Sequence, residues 1–292
     1  MNTTEYLSKW AISYKDDIIN NIMPFWMKYG LDREHGGVYT CVNRDGSLID
    51  TTKSVWFQGR FGFIAAYAYN NIEKNPQWLA ASKSCIDFIE AHCFDTDGHM
   101  FFEVTEDGKP LRKRRYVFSE GFAAIAMAEY ALATGEKEYA KKALDIFKRT
   151  LHFLNTPGFL EPKYLPTLPS RGHSITMILI NTASRIRMVI DDPSLTEQID
   201  TSIAALRKYF IHPEFKALLE MVGPDGEFID TCNGRVINPG HCIETAWFIM
   251  EEAKYRNWDK DLLQLALQIL DWSWEWGWDK EFGGIINFRD CR

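Results

Sequence analysis

The chain repeats itself, and the repeat limits what it can fold into. Two β-rich runs carry an Asp-Gly turn, at Asp45-Gly46 and Asp107-Gly108, and read as hairpins over Gly36–Asp50 and Gly98–Leu111. A third such segment, Leu219–Asp230, has its turn at Asp225-Gly226. The step from Gly46 to Gly108 is 62 residues, and from Gly108 to Gly226 it is 118, or twice 59. The skipped position near 167 falls in the loop Pro157–Ser170. The text Asp32-Arg33-Glu34-His35-Gly36-Gly37-Val38 returns as Asp279-Lys280-Glu281-Phe282-Gly283-Gly284-Ile285, where a last hairpin is expected to begin. Between these segments lie apolar residues at helical spacing, as in Leu7, Trp10, Ala11, Tyr14, Ile18, Ile19, Ile22 and Trp26. The spacing predicts helices over 5–29, 54–73, 77–93, 118–134, 137–154, 173–189, 195–210, 241–256 and 259–275. A unit of two helices and a hairpin, repeated, is a solenoid or ring architecture. The predicted class is therefore all-α: one (α/α)6 toroid, or barrel, of helix pairs with short β-hairpins between pairs, spanning residues 1–292 as a single domain. Nine predicted helices fall short of six pairs, so the ring is expected to be incomplete at its C-terminus.

Composition narrows the function. With 33 basic and 40 acidic residues the net charge is −7, which disfavours nucleic acid, whose binders carry a basic surplus. No apolar run approaches the ~20 residues of a membrane span, and the first residues do not read as a secretory signal. Six Cys with no CxxC pair point to reduced thiols and a cytoplasmic protein. Aromatics make up 14%, suited both to core and to the floor of a sugar-binding cleft.

Four stretches each open a predicted helix after a hairpin or long loop. If alternate helices form an inner ring, these starts meet at one mouth. Asn238-Pro239-Gly240-His241-Cys242-Ile243-Glu244 places His241 and Glu244 at i and i+3, on one helix face, where a carboxylate can set the imidazole's tautomer and basicity. Such a pair suits a carbon-acid base near neutral pH. Lys53, Trp56 and Arg60 lie near one face of the next start, and Arg beside Trp is a candidate clamp for a sugar oxygen. His173 opens a helix and is a candidate second base or hydroxyl ligand. Glu120 is a candidate for a substrate hydroxyl or for pairing with Arg60. Capping, solvated-surface and core roles suit the same residues. The run Arg112–Arg115 reads as a solvated loop, and the Trp272–Trp278 cluster as core in preference to a cleft lining. His241-x-x-Glu244 resembles half a metal site, but no second ligand pair occurs at metal spacing, so no metal is expected. Walker, GxGxxG and GxSxG motifs are missing from convincing settings, which disfavours phosphoryl transfer, Rossmann hydride transfer and α/β-hydrolase chemistry.

Four segments then carry a family resemblance: Trp26–Arg60, VFSEGF at Val117–Phe122, NPGHCIETAWF at Asn238–Phe248, and WGWDKEFGGI at Trp276–Ile285. In this order and spacing they resemble the N-acylglucosamine 2-epimerase superfamily, which also contains mannose isomerases and cellobiose 2-epimerases. The first stretch looks closest to the acylglucosamine branch. The resemblance implies an (α/α)6 barrel and cofactor-independent epimerisation at C2 of a reducing sugar, through ring opening, removal of the C2 proton and an enediolate. It implies a catalytic His at His241 with Glu244 as its carboxylate partner, and a sugar-binding Arg at Arg60, with Trp56, Glu120 and Asn238 as further substrate contacts. His173 resembles a His found at this helix start in some branches. Family members are longer and carry a second catalytic His near the C-terminus, so the resemblance implies a truncated chain of doubtful activity. It also allows a nucleotide effector and a homodimer. The alternatives are an aldose–ketose isomerase of the mannose type and a non-catalytic sugar- or nucleotide-binding barrel. A glycoside hydrolase or lyase on the same toroid would need two flanking carboxylates that the matched motifs do not supply.

Overall fold

The computed structural model describes residues 2–113 and 116–292; Arg114 and Arg115, half of the basic run, lie outside the described residues. The first helical stretch forms as α1 (Thr3–Asp17), a π-helical turn at Ile18–Ile22 and α2 (Met23–Tyr29). There follow α3 (Val55–Asn71), α4 (Pro76–His92), α5 (Phe118–Thr134), α6 (Lys137–Asn155), α7 (His173–Arg187) and α8 (Pro193–Ala205), the last running into a second π-helical turn at Leu206–Phe210. Helices α9 (Pro239–Tyr255) and α10 (Lys260–Gly277) complete the set. The sequence places their starts with few errors because the start chemistry is local. Asn75, Asp192, Asn238 and Asp259 each accept a first-turn backbone N–H, and Pro follows the cap in three of the four. For the same reason α9 begins at Pro239, two residues before the predicted start.

The chain divides into two compact units, Met1–Glu161 with Met188–Ile190, and Pro162–Arg187 with Asp191–Arg292. In the first unit α5 is buried almost all round, from Ser119 to Ala131, whereas α6 buries one stripe through Tyr139, Ala143, Leu144 and Phe147. That is the contrast expected of an inner and an outer helix. α5 packs closely on α3 because α3 has no side chain at the contact: a Cβ on Gly59 would lie 2.6 Å from the backbone of Phe122. α1 differs. It has no buried residue, and its predicted apolar face is uncovered, with Tyr6, Leu7 and Tyr14 half exposed or more. A capping box between Asn2 and Glu5 and a ladder of ring contacts from Tyr6 through Trp10 to Tyr14 support it. In the second unit α7 packs on α8 and α9, and α9 packs on α10.

The first two hairpins form as predicted, Cys41–Val42 pairing with Leu48–Asp50 and Phe101–Val104 with Pro110–Lys113. Lys53–Ser54 adds a third strand to the latter. The third Asp-Gly turn closes no such strand pair among the described residues. Met221–Val222, just before it, joins the distant Arg171–Gly172, and Ile211–His212 pairs locally with Ala217–Leu218. The repeated DxExGG turn is the same object twice. Asp32 and Asp279 each accept two backbone N–H bonds, from Glu34 and His35 and from Glu281 and Phe282. Single backbone bridges, Leu31 with Val38 and Trp278 with Ile285, close both copies. The tryptophan cluster corrects the sequence reading. Trp274 and Trp278 are not core; they stack on each other at 4.9 Å and are 50% and 38% exposed, Trp274 in the last turns of α10 and Trp278 at its C-cap.

Candidate active site

In the second unit two helix starts come together around one carboxylate. Asn238 caps α9, its Oδ1 accepting the His241 N–H at 3.2 Å, so His241 stands in the first turn. His173 is the first residue of α7. Between them runs the segment carrying Glu220, held on both sides: its N–H donates to the Val236 carbonyl and its carbonyl accepts from the His173 N–H. The Glu220 Oε1 lies 2.7 Å from His241 Nδ1 and 3.4 Å from His173 Nδ1. The His241 side chain is 37% exposed, Glu220 19%, and His173 not at all. Burial works to raise the Glu220 pKa, but hydrogen bonding with the imidazoles of His173 and His241 outweighs it and pulls it down to about 2. Glu220 is therefore an anion at neutral pH. It accepts the Nδ1 proton of His241 and leaves the lone pair on Nε2, the arrangement of a general base. On its other edge His173 Nε2 meets Thr245 Oγ1 at 2.9 Å, and Thr245 Oγ1 donates to the His241 carbonyl.

The ligating atoms of His173, Glu220 and His241 lie within 4.8 Å of one another, close enough for a metal ion. The 2.7 Å contact is also a hydrogen-bond distance between His241 Nδ1 and Glu220 Oε1.

The structure gives three of the expected site residues the following places. Glu244 is not the carboxylate partner of His241; it is half-buried and makes no hydrogen bond or ion pair among the described residues. Helical side chains lean toward the N-terminus, so the His241 ring turns toward Glu220 and away from the following turn. Asn238 serves as a helix cap. His173 is fully buried and stands behind His241.

The first unit joins the other two helix starts. Trp56, in the first turn of α3, packs against Phe102, Phe118 and Phe122 at 5.3–5.9 Å between ring centres. Arg60, one turn on, is exposed and lies over the Phe122 ring at 4.3 Å. Glu120 does not pair with Arg60. It is buried, and its Oε1 holds His99 Nδ1 at 2.5 Å and the Met100 N–H at 2.7 Å. Lys53 does not share the outer face of Trp56 and Arg60 either. It precedes the helix, is fully buried, and donates to Asp32 at 2.6 Å and to the Gly36 and Glu106 carbonyls at 2.8 Å. In the basic run, Lys113 bridges Asp95 and Asp97.

Glu220 and Thr245 are the site residues that the sequence reading missed. Thr245 carried a signal, since it lies at i+4 from His241 on the same helix face. Glu220 carried none, because its place depends on backbone bonds to residues 16 and 47 positions away in the chain.

The helix-pair fold carries an anchored imidazole–carboxylate pair, and the chain's relatives are isomerase-type enzymes. A family model for N-acylglucosamine 2-epimerase (GlcNAc 2-epimerase) matches residues 37–292, and the chain belongs to that family. It is 29% identical over 282 residues to the N-acylglucosamine 2-epimerase of Rattus norvegicus, covering 94% of this chain and 67% of the rat protein. It is 22% identical over 298 residues to the cellobiose 2-epimerase of Dictyoglomus turgidum, covering 92% and 72%. The chain thus spans about two thirds of the length of these relatives. Among solved structures, cellobiose 2-epimerase from Bacillus thermoamylovorans B4167 superposes with a TM-score of 0.84 at 20% identity, covering 97% of this chain and 76% of that one. A D-mannose isomerase gives 0.77 at 19%, covering 96% and 74%. These likenesses show the fold, the (α/α)6-barrel class that the repeat predicts. The family's reaction is epimerisation at a sugar C2. No helix of the described residues is long and apolar enough to cross a membrane.

Proposed function

We propose that the protein interconverts an N-acylglucosamine and its N-acylmannosamine epimer without a cofactor, with His241 as the base. The observation that carries this is the half-exposed His241 anchored through Nδ1 to the ionised Glu220. In the open-chain sugar the proton on C2 is acidified by the C1 aldehyde. His241 Nε2 takes that proton, the C–H electron pair moves into the C1–C2 bond, the carbonyl pair moves onto O1, and an enolate bearing the acylamino group forms. Return of a solvent-derived proton to the opposite face of C2 gives the epimer, and His241 passes its proton to water. General acid–base catalysis contributes about 10²–10⁴-fold to such a step. Arg60 and Trp56 are the proposed sugar contacts: the one offers a planar, exposed donor set and the other a ring face braced by three phenylalanines. The acylglucosamine branch is favoured because relatives of that name align over nearly the whole chain, whereas several cellobiose 2-epimerases align over about half.

Incubation with N-acetylmannosamine in D₂O, followed by NMR, tests the proposal. Deuterium at C2 with N-acetylglucosamine as product is expected, and no exchange would overturn it. Fructose formed from mannose would move the assignment to an aldose–ketose isomerase, the activity in the name of one structural neighbour. The finer partner assignments, a nucleotide effector and a homodimer, are read on the same sample by nucleotide titration and light scattering. The six free cysteines fit the proposed reducing, cytoplasmic setting.

A further inference from the structure

Glu220 Oε1 faces two ring nitrogens, His241 Nδ1 at 2.7 Å and His173 Nδ1 at 3.4 Å. Either ring can donate to it, but each neutral ring carries one proton. At 2.7 Å the His241 contact has the length of a charge-assisted bond, while 3.4 Å exceeds the roughly 2.7–3.2 Å of an N–H···O bond. Thus His241 holds the carboxylate closely and His173 only through a long contact, although His173 is the more buried ring and packs against Phe210 at 5.8 Å between centres. The difference lies on the other edge of His173. The Thr245 hydroxyl has a single proton and donates it to the His241 carbonyl at 2.9 Å. Toward His173 Nε2, also at 2.9 Å, it can therefore only accept.

We infer that Thr245 is a positioning residue: its hydroxyl holds the proton of the buried His173 on Nε2, withdraws His173 from competition for Glu220, and so reserves the carboxylate for His241. No contact of Thr245 with substrate is involved, since the residue is fully buried. It acts through two rings and one carboxylate. Without the hydroxyl, a neutral His173 gains most by moving its proton to Nδ1, where Glu220 is the remaining acceptor. Oε1 is then shared, and the His241 proton is no longer confined to Nδ1. Since the basic Nε2 of His241 depends on that confinement, the base weakens even though no group at the reacting carbon has changed. The consequence for turnover rests on the reading of His241 as the base; the ring tautomers do not.

The test uses the full chain with ¹⁵N-labelled histidine, observing ring nitrogens by long-range ¹H–¹⁵N correlation and assigning His173 and His241 by single substitution. In the unsubstituted protein, His173 is expected to carry its proton on Nε2 and His241 on Nδ1. In Thr245→Val, which keeps the shape and removes the hydroxyl, the His173 proton is expected on Nδ1 and His241 becomes a tautomer mixture. The kcat for C2 deuterium exchange is expected to fall about tenfold, the size of one hydrogen bond's preference, with KM unchanged. Thr245→Ser restores both readouts, which a purely packing role of the methyl group would not allow. An Nδ1–H tautomer for His173 in the unsubstituted protein overturns the inference, and this holds even where the valine variant does not fold. Unchanged ring spectra and exchange in Thr245→Val also overturn it. If the unsubstituted chain exchanges no sugar while the ring pattern follows the hydroxyl, the positioning role stands and the epimerase reading falls.

Discussion

The two units contain the same chemical pair in opposite settings. In the first, His99 Nδ1 meets Glu120 Oε1 at 2.5 Å, with the side chains 5% and 1% exposed. In the second, His241 Nδ1 meets Glu220 Oε1 at 2.7 Å, with 37% and 19% exposed. Both glutamates also hold backbone: Glu120 through its carboxylate to the Met100 N–H, Glu220 through its own peptide groups. The enclosed pair ties the second hairpin to the start of α5. The open pair presents an imidazole to solvent. Composition and contact distance are nearly the same, and exposure of the ring is what differs between the two pairs.

Substitutions can break this contrast. His241→Ala is expected to give the largest effect, a loss of about 10²–10⁴ in C2 deuterium exchange, beside a smaller loss of urea stability from the released Glu220. Glu120→Ala should do the reverse in kind. Removing the carboxylate that holds His99 Nδ1 and the Met100 N–H is expected to lower stability by about 1–3 kcal/mol in urea unfolding. A preserved unfolding midpoint would show that the enclosed pair is not structural.

The pH dependence separates the pairs further. The Glu220 pKa is depressed from 4.5 to about 2 in the folded chain. A depressed carboxyl contributes stability that is present above the unfolded value and is lost as pH falls through the folded value. Unfolding free energy should therefore drop between about pH 4.5 and pH 2, with a smaller drop in Glu220→Gln, checked by urea titrations across that range. The repeated turn gives the smallest effect. Asp279→Ala removes a side chain that accepts two exposed backbone N–H bonds, expected to be worth about 1 kcal/mol. The same change at Asp32 is expected to exceed it, because Asp32 is 3% exposed and its loss strands the buried Lys53. Equal losses at the two positions would remove the distinction between the copies.

Much of the fold is legible in the residues because its signals are short-range. A cap with proline, an Asp-Gly turn and an apolar stripe each act within a few positions, and they placed the helices and the first two hairpins. The same holds for His241 as a helix-start imidazole. Its partner was not legible. Glu244, chosen by helical spacing, is passed over because the ring leans back toward Glu220, in a bend between two strands that the spacing does not describe. Lys53 and Glu120 carry the same lesson. Lys53 was read as sharing a helix face with Trp56 and Arg60, and Glu120 as a substrate contact or partner of Arg60, but each is held inside by side-chain and backbone groups from distant turns.

The sequence by itself therefore determined the repeat, the helix starts and the family, since these rest on local backbone chemistry and on residues matched in order. Only the tertiary structure decided which carboxylate serves which imidazole and which of the two pairs reaches solvent. Those outcomes depend on burial and on hydrogen bonds between residues tens of positions apart, and spacing along the chain carries no record of them.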